Sequence, residues 1–321
     1  MAFVGPTPRQ IEWFGSKHTA RELAEKAGVP MLVGTGLLDS AEDAVREAQR
    51  VGLPVMVALG VVDISLGTDT AGSGRVPAAL NGIVGVKPTK GLIPTTGVVP
   101  ACRSLDCVTV FAREPGLART TVELLSGADG IDTGARNDRA TALPATPLRV
   151  AVPASHNLEG LADGWSDAFS AVVDELTGNG VEVVAVDITP LLRAADLLYG
   201  GAFVAERTAA VGDHITKHSD LIGSDLDPTV AAIVQAGADA TAVEYFRDLE
   251  QLERLGAEGR VLLDGFAALL TPTTTWHPTL AEVAADPVGA NARMGRFTNF
   301  ANLLDMGRRA VLPDRDEGRS R

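Results

Sequence analysis

The chain is poor in aromatic residues, in cysteine and in positive charge. Aromatic residues make up 4% of its 321 residues, against 45% hydrophobic residues in all, so valine, leucine and alanine must form most of the core. The two cysteines, Cys102 and Cys107, are too few for a disulfide framework, and we interpret both as reduced and structural. The formal net charge of −13 argues against nucleic-acid partners and anionic membranes, because both require clustered Lys and Arg.

The sequence also lacks a long apolar run. Its most apolar stretch, residues 51–62, contains Pro54 and is shorter than the ~18 residues that a membrane span requires. The first residues, MAFVGP, lack the basic region and apolar core of a secretory signal. We therefore expect a cytoplasmic protein with no membrane partner, built as one large domain or two modest ones.

The five histidines are scattered along the chain. His214 and His218 have the i,i+4 spacing of a ligand pair on a helix, but no acidic or cysteine partners complete a metal-binding set. A solvated pair is the favoured interpretation, and we predict no metal and no other cofactor.

Alternating strand and helix patterns predict an α/β fold. Residues 148–152 and 181–186 read as buried strands, and residues 165–176 between them read as a helix. This order favours a parallel strand pair with a crossover helix. Three further segments are a strand at residues 266–270, a helix at residues 39–50 and a surface loop at residues 130–146.

The most informative stretch is residues 66–78, which read LGTDTAGSGRVPA. A serine hydroxyl is a weak nucleophile until a base takes its proton, and it needs donors for the oxyanion that forms when it attacks a carbonyl. In this stretch Ser73 would be the nucleophile. The N–H groups of Thr70, Ala71 and Gly72 would line the anion-binding surface.

The alternative is a Gly-rich turn between a strand and a helix, which a Gly-Ser-Gly alone would favour. In either interpretation we expect Gly67 and Gly74 to allow sharp turns. The pattern continues as NGIVGVKPTKG at residues 81–91, PTTGVVP at residues 94–100 and VPACRSLDC at residues 99–107. With these segments, residues 57–306 resemble the amidase signature family, and within it most resemble allophanate hydrolase.

The resemblance implies a mixed central sheet flanked by helices and a triad of lysine base, bridging serine and nucleophile, the last at Ser73. The bridging serine should fall near residues 49–54, but these read QRVGLP. Only Lys17 and Lys26 precede Ser73, and neither lies in an amidase-like context. One member of the triad is therefore present and two are missing, so we expect impaired activity.

Residues 1–56 resemble another enzyme, the biotin carboxylase module of urea carboxylase. The segments that carry the likeness are residues 3–21 and 27–38, in which Lys17 matches a lysine of the ATP site. The similarity ends before the Gly-rich loop that would cover the phosphates, so we interpret Lys17 as an exposed lysine. Urea carboxylase makes allophanate and allophanate hydrolase consumes it, so a deletion that joined their genes is our hypothesis for the origin of the chain.

Residues 199–207, YGGAFVAER, resemble the allophanate hydrolase segment whose Tyr and Arg hold the substrate. The resemblance therefore implies substrate contacts for Tyr199 and Arg207. Arg207 suits this role because a guanidinium binds a carboxylate through two parallel hydrogen bonds. The two residues are eight positions apart, close to two helical turns, so one helix face would present both. The alternative is an amphipathic helix with an ordinary surface arginine.

The chain also diverges from the family near its end. Residues 297–305, FTNFANLLD, match the subfamily, but eight of the last sixteen residues are charged. We expect such a segment not to fill a central strand. The predicted division is a carboxylase-like fragment over residues 1–56, an amidase domain incomplete at both ends over residues 57–306, and a divergent charged tail over residues 307–321.

Three functional hypotheses follow. The first is an amide hydrolase that acts on allophanate through Ser73. The second is an inactive remnant or pseudoenzyme that associates with an intact urea carboxylase or allophanate hydrolase, or with its own copy. The third, an ATP-binding carboxylase fragment, is the weakest because the phosphate loop is missing.

Overall fold

The computed structural model describes residues 57–58, 60, 62–137 and 148–310. The carboxylase-like fragment with Lys17 and Lys26, the helix at residues 39–50 and most of the charged tail lie outside the described residues. So does the later part of the loop predicted at residues 130–146.

The described part of the chain contains both strands and helices, which confirms the predicted α/β class. The strands are β1 (Ile64–Thr68), β2 (Val84–Lys87), β3 (Val108–Ala112), β4 (Arg149–Pro153), β5 (Glu182–Val186), β6 (Ala268–Leu269) and β7 (Arg308–Ala310). The helices are α1 (Arg75–Leu80), α2 (Pro115–Leu125), α3 (Trp165–Gly178), α4 (Thr189–Gly200), α5 (Ala205–Lys217), α6 (Pro228–Ala236), α7 (Ala242–Leu262), α8 (Leu280–Ala285), α9 (Pro287–Met294) and α10 (Asn299–Leu303). Within this part of the chain, no helix is both long enough and apolar enough to cross a membrane.

The strands form two small sheets. The first is antiparallel, with the order β1-β3-β2-β7. Strand β7 shows that the chain continues as a strand beyond residue 306. It lies at the edge of this sheet and pairs with β2 alone, which agrees with the expectation that this charged segment does not fill a central strand.

The second sheet is parallel, with the order β5-β4-β6. Strands β4 and β5 pair in register from Arg149 with Glu182 to Pro153 with Val186, and α3 connects them. The predicted strand–helix–strand unit is therefore confirmed. The strand predicted at residues 266–270 is present as the two-residue β6, which pairs with β4.

The largest apolar cluster lies between helices. Helix α4 packs against α7 and α10, and its buried side chains include Leu191 and Leu198. Phe297 and Phe300 are fully buried in the same cluster. This packing holds α10 beneath the loop that follows β1, which is the loop of the candidate nucleophile.

Candidate active site

The loop that carries Ser73 leaves β1 and enters α1. It begins beside β3, where the N–H of Asp69 donates to the carbonyl of Cys107 at 2.9 Å. Ser73 is exposed, whereas Thr70, Ala71 and Gly72 are buried. Within the described part of the chain, the N–H groups of these three residues donate to no protein acceptor. The loop therefore combines an accessible hydroxyl with N–H groups that are free to bind an anion.

A buried ion pair supports the loop from below. The guanidinium of Arg75 donates to both carboxylate oxygens of Asp69 at 2.8 Å, and the two side chains are 1% and 0% exposed. Burial alone would raise the pKa of Asp69, but the Arg75 guanidinium outweighs burial and holds this pKa below its ordinary value. Asp69 is thus a carboxylate in the folded protein.

The same arginine ties the loop to α10. Arg75 donates to the carbonyl of Thr298 at 3.1 Å and to Oδ1 of Asn302 at 2.7 Å. In return, Nδ2 of Asn302 donates to the carbonyls of Asp69 at 2.7 Å and Leu105 at 3.0 Å. These bonds satisfy the buried polar groups of both segments, so the position of the loop depends on α10.

Asp106 fixes the loop from the other side. The hydroxyl of Thr70 donates to Oδ1 of Asp106 at 2.6 Å. The N–H groups of Ala101 and Cys102 donate to the same carboxylate at 3.0 to 3.3 Å. The segment around Cys102 and the candidate oxyanion loop therefore share one buried acceptor.

Gly67 and Gly74 do not have the role that we predicted. Gly67 lies inside β1 and Gly74 has φ of −88°, so neither residue makes a left-handed turn. Instead, a Cβ at Gly67 would lie 2.8 Å from the ring of Phe111, and one at Gly74 would lie 2.8 Å from Cγ2 of Thr109. Close packing against β3 is what excludes a side chain at these two positions.

No base contacts Ser73 within the described residues. Its hydroxyl donates to the carbonyl of Thr68 at 3.2 Å. Lys87 is buried, and its Nζ donates to the carbonyl of Pro88 at 2.8 Å and contacts Sγ of Cys107 at 3.7 Å. Burial lowers the pKa of Lys87. Lys87 therefore lies beside Cys107, behind the loop, and among its described contacts there is none with Ser73.

A cavity of about 730 Å³ opens above Ser73. It brings together every site residue that the sequence predicted: Ser73, Thr70, Ala71, Gly72, Tyr199 and Arg207. It also contains polar residues that sequence reasoning did not assign to a site: Asn81, His277, Asn291 and Asn299. Asn299 lies inside the segment that resembles the subfamily, which was a usable signal. His277 and Asn291 carried no sequence signal.

Tyr199 and Arg207 reach the cavity from two helices, so the prediction of one continuous helix face is wrong. Tyr199 lies near the end of α4 and Arg207 lies in the first turns of α5, with a short 3₁₀ helix at Ala202–Val204 between them. Helix α4 ends at Gly200, and the backbone of the next residue, Gly201, is extended. The two side chains still meet, because the Arg207 guanidinium lies 5.3 Å from the centre of the Tyr199 ring.

An α/β fold that places an exposed serine, an arginine and N–H groups without an acceptor among the described residues in one cavity fits a hydrolase of amide bonds. The family model described as Amidase matches residues 52–312, and the chain belongs to this family. The match extends beyond the predicted limits of 57 and 306. The carboxylase-like identity of residues 1–56 stays a prediction.

Similar proteins agree with this assignment. The chain is 40% identical over 259 residues to a urea amidolyase of Lachancea kluyveri, which covers 78% of this chain and 14% of that protein. It is 38% identical over 261 residues to a urea amidolyase of Saccharomyces cerevisiae, with 80% and 14% coverage. An allophanate hydrolase structure from Kluyveromyces lactis has 38% identity and a TM-score of 0.75, with 81% of this chain and 43% of that chain covered. The chain thus spans a small part of these urea amidolyases and less than half of that hydrolase.

Proposed function

We propose that the cavity is an amide-hydrolase site of the allophanate hydrolase type. The observation that carries this proposal is that three sets of groups lie in one cavity: the Ser73 hydroxyl, the N–H groups of residues 70–72, which have no acceptor among the described residues, and the Tyr199–Arg207 pair. Allophanate has an amide carbonyl at one end and a carboxylate at the other. A substrate of this kind would use both halves of the cavity.

In the proposed reaction, Oγ of Ser73 bonds to the amide carbon and its proton passes to a base. The N–H groups of Thr70, Ala71 and Gly72 stabilise the oxyanion that forms. The C–N bond then breaks, the departing nitrogen takes a proton, and ammonia leaves. Water hydrolyses the acyl group on Ser73. Throughout these steps, Arg207 and the Tyr199 hydroxyl hold the carboxylate through charge-assisted hydrogen bonds.

We further propose that turnover is slow. Within the described residues, the Ser73 hydroxyl bonds to a backbone carbonyl and to no base, and residues 49–54 lack the serine that the family resemblance implies. Loss of the base leaves the contributions of binding and of the oxyanion hole. The second candidate is therefore a pseudoenzyme that keeps the ligand site, in the cytoplasm, as a partner of a urea carboxylase or of its own copy. The bond from Ser73 to the Thr68 carbonyl favours it.

The deciding experiment measures ammonia release from allophanate by the purified chain, with Ser73→Ala as the matched variant. If the wild type releases ammonia and Ser73→Ala does not, the serine is the nucleophile and a replacement base exists. If both variants are silent, melt cooperatively and bind a carboxylate amide, the pseudoenzyme is correct. Silence without ligand binding contradicts both candidates.

A further inference from the structure

The cavity differs in charge from the rest of the chain. The sequence carries a net charge of −13, yet among the described residues that line the cavity there is no Asp or Glu. Arg207 supplies a fixed positive charge there. A cleft lined by one sign of charge with low-dielectric walls concentrates ligands of the opposite sign. The cavity is therefore suited to a small anion.

Asn291 makes a contact that defines the hydrogen-bonding state of Tyr199. Its Nδ2 donates to the hydroxyl oxygen of Tyr199 at 3.2 Å, and both side chains line the cavity. A phenol has one hydrogen to donate and lone pairs that accept. Because the amide N–H occupies the accepting side, the phenol hydrogen is left for another partner. Within the described part of the chain, the Tyr199 hydroxyl donates to no protein group.

Helix α9, which carries Asn291, is anchored at both ends. Asp286 precedes the helix, and its Oδ1 accepts the N–H of Gly289 at 2.8 Å. Near the other end, the guanidinium of Arg293 lies 4.1 Å from the centre of the Trp276 ring and donates to the carbonyl of Gly160 at 3.3 Å. These contacts hold α9, and with it the backbone of Asn291, against Trp276 and Gly160.

We propose that Asn291 is a positioning residue that directs the Tyr199 hydroxyl hydrogen toward the carboxylate of the ligand, so that this site prefers carboxylate-bearing amides to neutral amides. The inference rests on the proposed function, because it takes Tyr199 and Arg207 as the carboxylate-binding pair. It adds a determinant of ligand choice that acts through Tyr199 and does not touch the reacting carbonyl.

The test compares two stable ligands that differ in one charged group. Malonamate has the amide and the carboxylate of allophanate with a methylene in place of the central nitrogen, and malonamide replaces the carboxylate by a second amide. Calorimetric Kd values are measured for both ligands with the full chain. We expect the wild type to bind malonamate more tightly than malonamide. Tyr199→Phe should raise the Kd for malonamate by about tenfold, because the variant lacks the hydroxyl that donates to the charged carboxylate.

Asn291→Leu should weaken malonamate by roughly threefold to tenfold and leave malonamide unchanged. In the Tyr199→Phe background, the same substitution should have no further effect on the ratio of the two Kd values. The matched control is Asn179→Leu, which removes an exposed amide that bonds to the carbonyl of Glu175 at 2.8 Å and does not line the cavity.

The outcomes separate the inference from the proposed function. If the wild type prefers malonamate and Asn291→Leu keeps the same preference, the positioning role is wrong while the carboxylate site stands. If Asn291→Leu weakens the binding of malonamate and malonamide equally, the role of Asn291 is merely structural and the inference is also overturned. If the wild type binds neither ligand, the carboxylate site fails, and the proposed function and the inference fail with it.

Discussion

Replacement of Arg75 by Met should be among the most damaging single substitutions in the described part of the chain. The change leaves Asp69, whose side chain is 0% exposed, as a buried carboxylate without its counterion. Removal of one partner from a buried ion pair typically costs about 3–5 kcal/mol. The Asn302 amide oxygen also loses its donor, and the Thr298 carbonyl keeps only the N–H of Ala301 among the described residues. A domain with about 5–15 kcal/mol of stability would lose a large part of it.

The pH dependence of this loss distinguishes a buried charge from poor packing. In the wild type, the carboxylate of Asp69 stabilises the fold above its unfolded-state pKa of ~3.9, and this contribution is lost as the pH falls through the lower folded-state pKa. Without Arg75, we expect burial to outweigh the more weakly interacting charge of Lys87 and to raise the pKa of Asp69. The folded variant then takes up a proton above pH ~3.9, so the destabilisation should shrink as the pH falls from 7 toward 4.

The assay is urea unfolding of the wild type, Arg75→Met and the double variant Asp69→Asn/Arg75→Met at pH 7 and pH 4.5. The double variant removes the buried charge and should be more stable than Arg75→Met at pH 7. Arg119→Met is the control, since Arg119 pairs with Glu123 at 2.8 Å on an exposed helix face and should cost less than ~0.5 kcal/mol. Equal losses for Arg75→Met and Arg119→Met, or a loss that does not change with pH, would refute the reasoning.

Two further predictions concern the loop and the thiols. Gly72→Ala should destabilise the fold, because the added Cβ would overlap the hydroxyl of Thr298. The control Gly116→Ala, which adds a Cβ in open space on a helix, should stabilise the fold by roughly 0.5–1 kcal/mol. Thermal melts in which Gly72→Ala matches the wild type would contradict this prediction. Burial raises the pKa of Cys102 to about 12 and also raises the pKa of Cys107, so neither thiol should react with a disulfide reagent at pH 8 until denaturant is added. Fast labelling of the native protein would contradict the second prediction.

The parts of the site that are contiguous in sequence could be predicted from sequence. Ser73 and its neighbours lie in one uninterrupted pattern, so the sequence alone predicted that they belong to one site, and the structure places them in one cavity. The parallel pairing of β4 and β5 could also be predicted, because two apolar strands separated by an amphipathic helix have few other arrangements. The class of fold follows from such local signals.

Other parts depend on contacts that no local pattern contains. The partners of Arg75 at Thr298 and Asn302 are more than 220 positions away in the chain. Tyr199 and Arg207 were assigned to one helix because Gly201 does not by itself indicate where a helix ends. Asn291 lies on a short helix in which no sequence motif marks it, so only the fold shows that it meets Tyr199. The edge position of β7 was likewise a property of the sheet order.

The bonds between the Ser73 loop and α10 also have a consequence for the order in which the protein is made. Asp69 and Arg75 are synthesised more than 220 residues before Thr298 and Asn302, which supply two of the acceptors of Arg75. A contact of such sequence separation forms only after a long loop has closed. On the ribosome, the loop can therefore reach its final position only after Thr298 and Asn302 have emerged. A nascent chain that ends before Thr298 holds the Asp69–Arg75 pair without the α10 groups that bury and bond it.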